Sequence, residues 1–291
     1  AYGLTKILSP DQLTILVNTG DDFEYLDFKI CPDIDTVSYT LAGINDKEKG
    51  WGIRNESWNA LNFLSKYGAE SWFRLGDKDL AIHIQRTYLL KRGVLLSEVT
   101  QLLCSKLGVN HCVMPMSETP VSTILSTNEG MLAFQEYFVK HQCKPQVNFI
   151  KYAGSDQAKI PVILEEQLTQ NSFTGVVLCP SNPYLSIDPI LSIKPIKDYL
   201  INRSIPVLAV SPFINNAAVK GPSAEIAIEL GEEPTNQNIA KHYEDILDIL
   251  IIDHQDYPSK KEIKLKTITE SIVMRDDKDK KRLAHVCLIN L

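Results

Sequence analysis

The run Leu13-Thr14-Ile15-Leu16-Val17, opening into Asn18-Thr19-Gly20-Asp21-Asp22, decides the fold class. Five apolar or β-branched residues in a row suit a strand buried on both faces, as in a parallel sheet. The polar turn after it marks the strand's carboxyl end. The same unit returns at residues 175–178 before Cys179-Pro180-Ser181-Asn182-Pro183, at 207–210 before Ser211-Pro212-Phe213, and at 246–252 before Asp253. Helical spacing is read at 58–67, 77–91 and 97–107, with Ser97 as N-cap and Gly108 as stop. Residues 37–44 read as the start of another helix, after a loop at 31–36. Strands alternating with helices predict an α/β fold, with a mostly parallel sheet covered on both faces. Ligands of such sheets bind beyond the carboxyl ends of the strands, where these polar turns fall.

The pattern changes in the middle of the chain. Short strands are read at 112–116, 121–126 and 147–152, with a turn at Asn128-Glu129-Gly130 and a strand-then-helix stretch at 131–140. The expected organisation is therefore an α/β core from 1–109 and 171–291, and a smaller α+β subdomain from 110–170.

The chain has 291 residues, 44% hydrophobic and 23% charged, with a net charge of −6, the composition of an ordinary globular protein. No long basic run is present, which argues against nucleic acid as a partner. No apolar stretch approaches ~18 residues, so no membrane helix is expected. The six cysteines include no CxxC pair, so no zinc site is read and a reducing cytoplasm is the expected location. Residues 1–8 read as a helix with no capping residue before it, so a further strand and loop are expected ahead of Ala1.

Three acidic groups stand out: Asp21 with Asp22, Asp33 with Asp35, and Asp77 with Asp79. Each alone suits helix capping. Three at one sheet edge point instead to a shared site, and if phosphates bind there a cation must offset the repulsion. Magnesium, held by carboxylates and phosphate oxygens, is the natural choice. On a helix, Asp79, His83 and Arg86 share a face at i, i+4 and i+7, and meet either an anionic ligand or one another. Ser181 and Asn182, after one strand, suit contacts to a base, sugar or phosphate, or else a plain turn. Ser211 lies in a further strand-end loop. Ser223, at a helix start with Lys220 nearby, suits an anion or an ordinary N-cap. Trp51, Trp58 and Trp72 serve as packing or as flat shelves for a ring. His111, His141, His242, His254 and His285 show no metal-ligand spacing and read as structural or solvent-facing.

Taken together, these loops resemble the 2-phospho-L-lactate transferase family. The resemblance rests on residues 17–22 (VNTGDD), 32–37 (PDIDTV), Trp51-Gly52-Ile53, 75–79 (LGDKD) with His83-Ile84, 114–117 (MPMS), 120–123 (PVST), 180–183 (PSNP), Ser186-Ile187, Ser211-Pro212 and Gly221-Pro222, in order through nearly the whole chain. It implies a three-layer Rossmann-like fold with a smaller subdomain, and a homodimer. It implies transfer of a phospho-acid group from a guanosine diphosphate-linked donor to the hydroxyl of a deazaflavin (7,8-didemethyl-8-hydroxy-5-deazariboflavin), with release of GMP, in coenzyme F-420 biosynthesis. Magnesium is implied, with Asp35 and Asp22 as ligands. Asp35 is also implied as the catalytic group and, with Arg74, as a deazaflavin contact. Ser181, Asn182, Ser211 and Ser223 line the nucleotide side. The donor acid stays open among lactyl, enolpyruvyl and glyceryl forms. The alternative is a non-enzymatic regulator that binds a nucleotide sugar on the same fold. Such relatives carry a Gly/Ser-rich stretch after the paired Asp, where this chain has Phe23-Glu24-Tyr25-Leu26. A nicotinamide enzyme is disfavoured because no GxGxxG occurs.

Overall fold

The computed structural model describes residues 1–219 and 221–291; the charge expected from Lys220 lies outside the described residues. The chain opens with the short helix α1 (Tyr2–Thr5), far briefer than the helix expected over 1–8. Strand β1 (Thr14–Val17) follows, then a hairpin of β2 (Phe23–Tyr25) and β3 (Phe28–Ile30). The sequence does not announce that hairpin, because its turn is Leu26-Asp27, both with positive φ, rather than glycine.

Helix α2 (Pro32–Ala42) begins at the proline, five residues before the expected start at 37. Proline suits the first helical position because its missing N–H has no partner there anyway. The supposed loop carrying Asp33 and Asp35 is thus the first turn of a helix. Helices α3 (Asn59–Lys66), α4 (Asp77–Lys91) and α5 (Leu96–Lys106) follow. The last is capped at Leu95, so Ser97 lies inside it instead of at the N-cap.

Strand β4 (Cys112–Pro115) pairs in parallel with β1, Val17 opposite Pro115. This strand, grouped by sequence with the smaller unit, is hydrogen-bonded to the core. Strands β5 (Ser122–Thr127), β6 (Gly130–Ala133) and β7 (Val147–Ala153) form an antiparallel sheet in the order β6-β5-β7. Helix α6 (Val162–Thr169) leads back to β8 (Val176–Leu178), followed by α7 (Asp188–Leu191), α8 (Lys194–Asn202) and β9 (Val207–Val210). A small hairpin, β10 (Phe213–Ile214) and β11 (Ala217–Ala218), precedes α9 (Ser223–Glu229) and α10 (Asn236–His242). Strand β12 (Ile249–Ile252), β13 (Lys266–Thr269) and α11 (Asp277–Leu288) complete the chain.

The expected parallel sheet is present in two pieces: β13-β12-β9-β8 and the β1-β4 pair. Strands β9 and β12 are buried along their whole length, which is why they read as continuous apolar runs. The largest core cluster packs Met114, Leu200, Val207, Phe213, Leu250 and Ile252 together, joining β4, α8, β9 and β12. All six cysteines are free. Among the described residues no helix is long and apolar enough to cross a membrane.

Candidate active site

Strand β1 delivers Asn18 through Asp22 at its carboxyl end, and the first turn of α2 brings Asp33 and Asp35 beside them. Asn18 is the hinge of this arrangement. Its amide nitrogen donates to Asp33 Oδ2 (3.0 Å) and to the carbonyl of Leu185 (3.2 Å), while its amide oxygen accepts from the N–H of Gly20 (2.7 Å). One side chain therefore ties the acidic turn to α2 and to the 182–187 turn after β8. Gly20 has no room for a side chain: a Cβ there would stand 2.6 Å from Thr123 Oγ1 and 3.0 Å from Asn18 Oδ1.

The carboxylates in this corner are poorly compensated. Asp21 is buried, and its Oδ1 and both oxygens of Asp22 make no hydrogen bond. The Lys29 ammonium lies 3.4 Å from Asp22 Oδ2, near enough to attract it without a hydrogen bond. Burial, followed by repulsion from Asp33, pushes the Asp21 carboxyl well above the usual range. Burial raises Asp33 as well, against the opposing bond from Asn18. Asp22 is pushed up to about 6 by burial, with Lys29 acting the other way. Unpaired buried carboxylates are costly. Each such carboxyl favours its protonated form, or a cation in the proton's place.

Asp35 belongs to a second assembly, in which its own carboxylate is paired. Both its oxygens accept from the Arg86 guanidinium. Arg86 also donates to the carbonyl of Lys29 (3.4 Å) and to His83 Nδ1 (3.1 Å). An arginine can only donate, so His83 Nδ1 is the lone-pair nitrogen and the ring proton sits on Nε2. That nitrogen lies 3.3 Å from Asp79 Oδ1, off the line of a hydrogen bond. Tyr39, one turn after Asp35, donates to the same Asp79 oxygen. The face shared by Asp79, His83 and Arg86 is thus a buried polar seam between α2 and α4.

Asp35, Asp79 and His83 offer ligand atoms within 4.8 Å of one another. Two features weigh against a metal there. The guanidinium already neutralises Asp35, and its bond to Nδ1 leaves His83 presenting an N–H where a metal needs a lone pair. Asp77 takes the helix-end role that single acidic residues often have: it accepts from Asn59 N (3.0 Å), Ala60 N (3.0 Å) and Ser57 Oγ (2.7 Å), fixing the start of α3.

Asp79 leads outward into a narrow crevice of about 10 Å³, lined also by Lys49, Trp51, Gly52, Ile53, Glu56, Trp58 and Gly76. Trp58 has cations against its ring, the Arg74 guanidinium and the Lys49 ammonium, each 4.7 Å from the ring centroid. Its indole N–H is buried with no partner. Trp72 instead packs with Phe23, Tyr25 and Phe73 in a closed aromatic cluster. On the far side of the corner, Asn182 Oδ1 accepts from Tyr184 N and Leu185 N, leaving its NH2 group buried and unpaired. Ser181 donates its N–H to Cys179. Ser211 is fully buried, its Oγ accepting from Phe213 N (3.1 Å). Ser223 opens α9 and is also buried.

The structure ties Asn182 to Asp33 through Leu185 and Asn18, and sets Arg74 against Trp58, while Asp35 turns to Arg86 on α4. Ser211 and Ser223 sit farther into the core. Sequence reasoning passed over Asn18 and Tyr39. Tyr39 gave no signal while Asp35 was read as a loop residue, and Asn18 gave none because its partners lie 15 and 167 residues away.

Strand-end turns that gather carboxylates and amides along a parallel sheet define a Rossmann-like α/β protein. Residues 1–290 match the family described as 2-phospho-L-lactate transferase CofD. The chain is 38% identical over 279 residues to a 2-phospho-L-lactate transferase of Methanopyrus kandleri, covering 94% of this chain and 88% of that one. It is 36% identical over 286 residues to the enzyme of that name from Methanocaldococcus jannaschii, covering 97% and 91%. A phosphoenolpyruvate transferase of Streptomyces griseus is 35% identical over 268 residues, covering 90% and 83%. A crystal structure of a UPF0052-family protein from Bacillus halodurans shares the fold, with a TM-score of 0.62 at 13% identity over 99% of this chain and 93% of that one. The chain belongs to the 2-phospho-L-lactate transferase CofD family.

Proposed function

We propose that the chain transfers a phospho-acid group from a guanosine diphosphate-linked donor to the hydroxyl of a deazaflavin, releasing GMP, as a step of coenzyme F-420 assembly. One observation carries this reading: buried carboxylates with unpaired oxygens stand at a strand end, tied by Asn18 to the Asn182 turn. A diphosphate would be repelled there unless a divalent cation stood between.

The residues present fit magnesium, which keeps several waters and takes one or two carboxylates plus substrate phosphates. Asp35 and Asp22, the ligands implied by resemblance, each already face a cation, Arg86 and Lys29. Among the described residues Asp21 and Asp33 face no such cation, so on this reading these two carboxylates hold the ion together with substrate phosphates and water. When bound, the ion neutralises charge on the diphosphate.

The chain's own groups then do the positioning, which carries most of the catalysis in phosphoryl transfer. Trp58 and Arg74 receive the acceptor's flat ring, and its hydroxyl donates to Asp35. The fork from Arg86 uses one lone pair on each Asp35 oxygen and leaves others free to accept. The hydroxyl oxygen forms a bond to the phosphorus bearing the acid, and the bond from that phosphorus to the GMP phosphate breaks. GMP leaves with the electron pair, and the hydroxyl proton passes to solvent. Asn182, with its free NH2 group, and Ser181 line the nucleotide side, with Ser211 and Ser223 behind them. The lactyl and enolpyruvyl names of the relatives leave the acid to be set by experiment. The protein, assayed with each donor, deazaflavin and magnesium, is expected to release GMP; binding without release would overturn the proposal.

A further inference from the structure

We propose that Arg86 is a positioning residue of the transfer, acting through Asp35. This rests on the reading of Asp35 as the group that receives the acceptor hydroxyl. Arg86 is among the largest fully buried side chains of the protein, 1% exposed. Burying a guanidinium is costly unless an opposite charge and further acceptors meet it. Here the donors reach three elements: the Asp35 carboxylate on α2, the Lys29 carbonyl on β3 and His83 on α4 itself. Burial alone would lower its pKa; the neighbouring Asp35 more than offsets this, so the group stays charged.

The shape of this contact matters more than its charge. A planar fork on both oxygens of one carboxylate fixes the plane of that carboxylate, which a lysine's single ammonium cannot do. The direction in which Asp35 offers its remaining lone pairs is therefore set from α4. The same guanidinium fixes the tautomer of His83, so that its N–H turns toward Asp79, a residue of the acceptor cleft. Arg86 need not touch either substrate to govern how the hydroxyl is held. A small misalignment of a reacting group is enough to slow a transfer strongly.

The test compares Arg86→Lys, Asp35→Asn and the double variant, below their melting midpoints, by kcat, KM for each substrate and direct binding of GDP. Arg86→Lys is expected to lose about 10–100-fold in kcat with GDP affinity within about two-fold of the parent. The double variant is expected to be no slower than Asp35→Asn alone, because both changes remove one function. Arg86→Gln, which keeps one donor to Asp35, carries the same comparison if the lysine variant does not fold. A kcat within about two-fold of the parent in a folded Arg86 variant overturns the inference, as do losses that multiply in the double variant. If instead Asp35→Asn alone keeps full kcat, the reading of Asp35 fails, and this inference fails with it.

Discussion

Asn18 donates one amide hydrogen to Asp33 and another to the carbonyl of Leu185, so a single side chain spans the acidic corner and the turn that carries Asn182. The two partners come from α2 and from the segment after β8. The sheet brings these elements together, and Asn18 sets their spacing.

Asn18→Leu should break that spacing at little change in volume. It leaves the Leu185 carbonyl and one Asp33 oxygen without a donor, at a cost of about 1–3 kcal/mol. The expected result is a lower melting midpoint and a fall of at least about ten-fold in kcat/KM for the donor. Steady-state kinetics and thermal melting check both; an unchanged kcat/KM would show that the bridge is not part of the site.

Gly20→Ala tests the closeness of the same corner. The added methyl would meet Thr123 and Asn18 inside contact distance, with Pro189 Cβ at 3.1 Å. Overpacking of this kind costs about 1–3 kcal/mol. Chemical denaturation should give a loss in that range, together with weaker magnesium binding. A variant as stable as the parent would mean that the turn has slack the contacts do not suggest.

The raised carboxyls give magnesium binding a sign in pH. A carboxyl whose pKa is raised on folding keeps a proton that the unfolded chain has released. For Asp22 the metal-free fold therefore loses stability as pH rises from 3.8 through about 6. Asp21 and Asp33 shift in the same direction. A divalent ion takes the protons' place, so its stabilising effect should grow over that window and beyond. Differential scanning fluorimetry should show a small magnesium shift at about pH 5 and a clearly larger one at about pH 7, with Asp21→Asn and Asp33→Asn flattening the difference. Equal shifts at both pH values would remove these residues from the ion's shell.

Asp77 should act on structure alone. Its carboxyl is held at about 2, first by the hydroxyl of Ser57 and then by backbone N–H groups at the start of α3. A depressed carboxylate contributes stability above 3.8 that disappears as pH falls through about 2. Asp77→Ala is expected to lower the melting midpoint by about 2–4 °C at neutral pH with kcat unchanged. A loss of kcat without a loss of stability would place Asp77 in the chemistry.

The parallel core was legible because its strands are buried on both faces, which leaves a continuous apolar run and a polar turn at each end. Helix α4 was legible as a helical stretch over 77–91, and the structure gives it those bounds. The hairpin of β2 and β3 was hidden by a turn without glycine, and α2 was started late because proline was taken for a loop residue. Asp33 and Asp35 were visible as acidic residues, but their roles were not. Two positions apart, they turn to different neighbours: Asp33 to Asn18 and the other carboxylates, Asp35 to Arg86. Sequence spacing carries no signal for partners that meet only when the sheet forms.

The most direct measurement is the release of GMP from a guanosine diphosphate-linked phospho-acid mixed with deazaflavin and the protein. The account predicts one GMP for each deazaflavin modified, lost on chelation of magnesium and strongly reduced in Asp21→Asn. Nucleotide that binds tightly with no GMP formed, with or without magnesium, would contradict it.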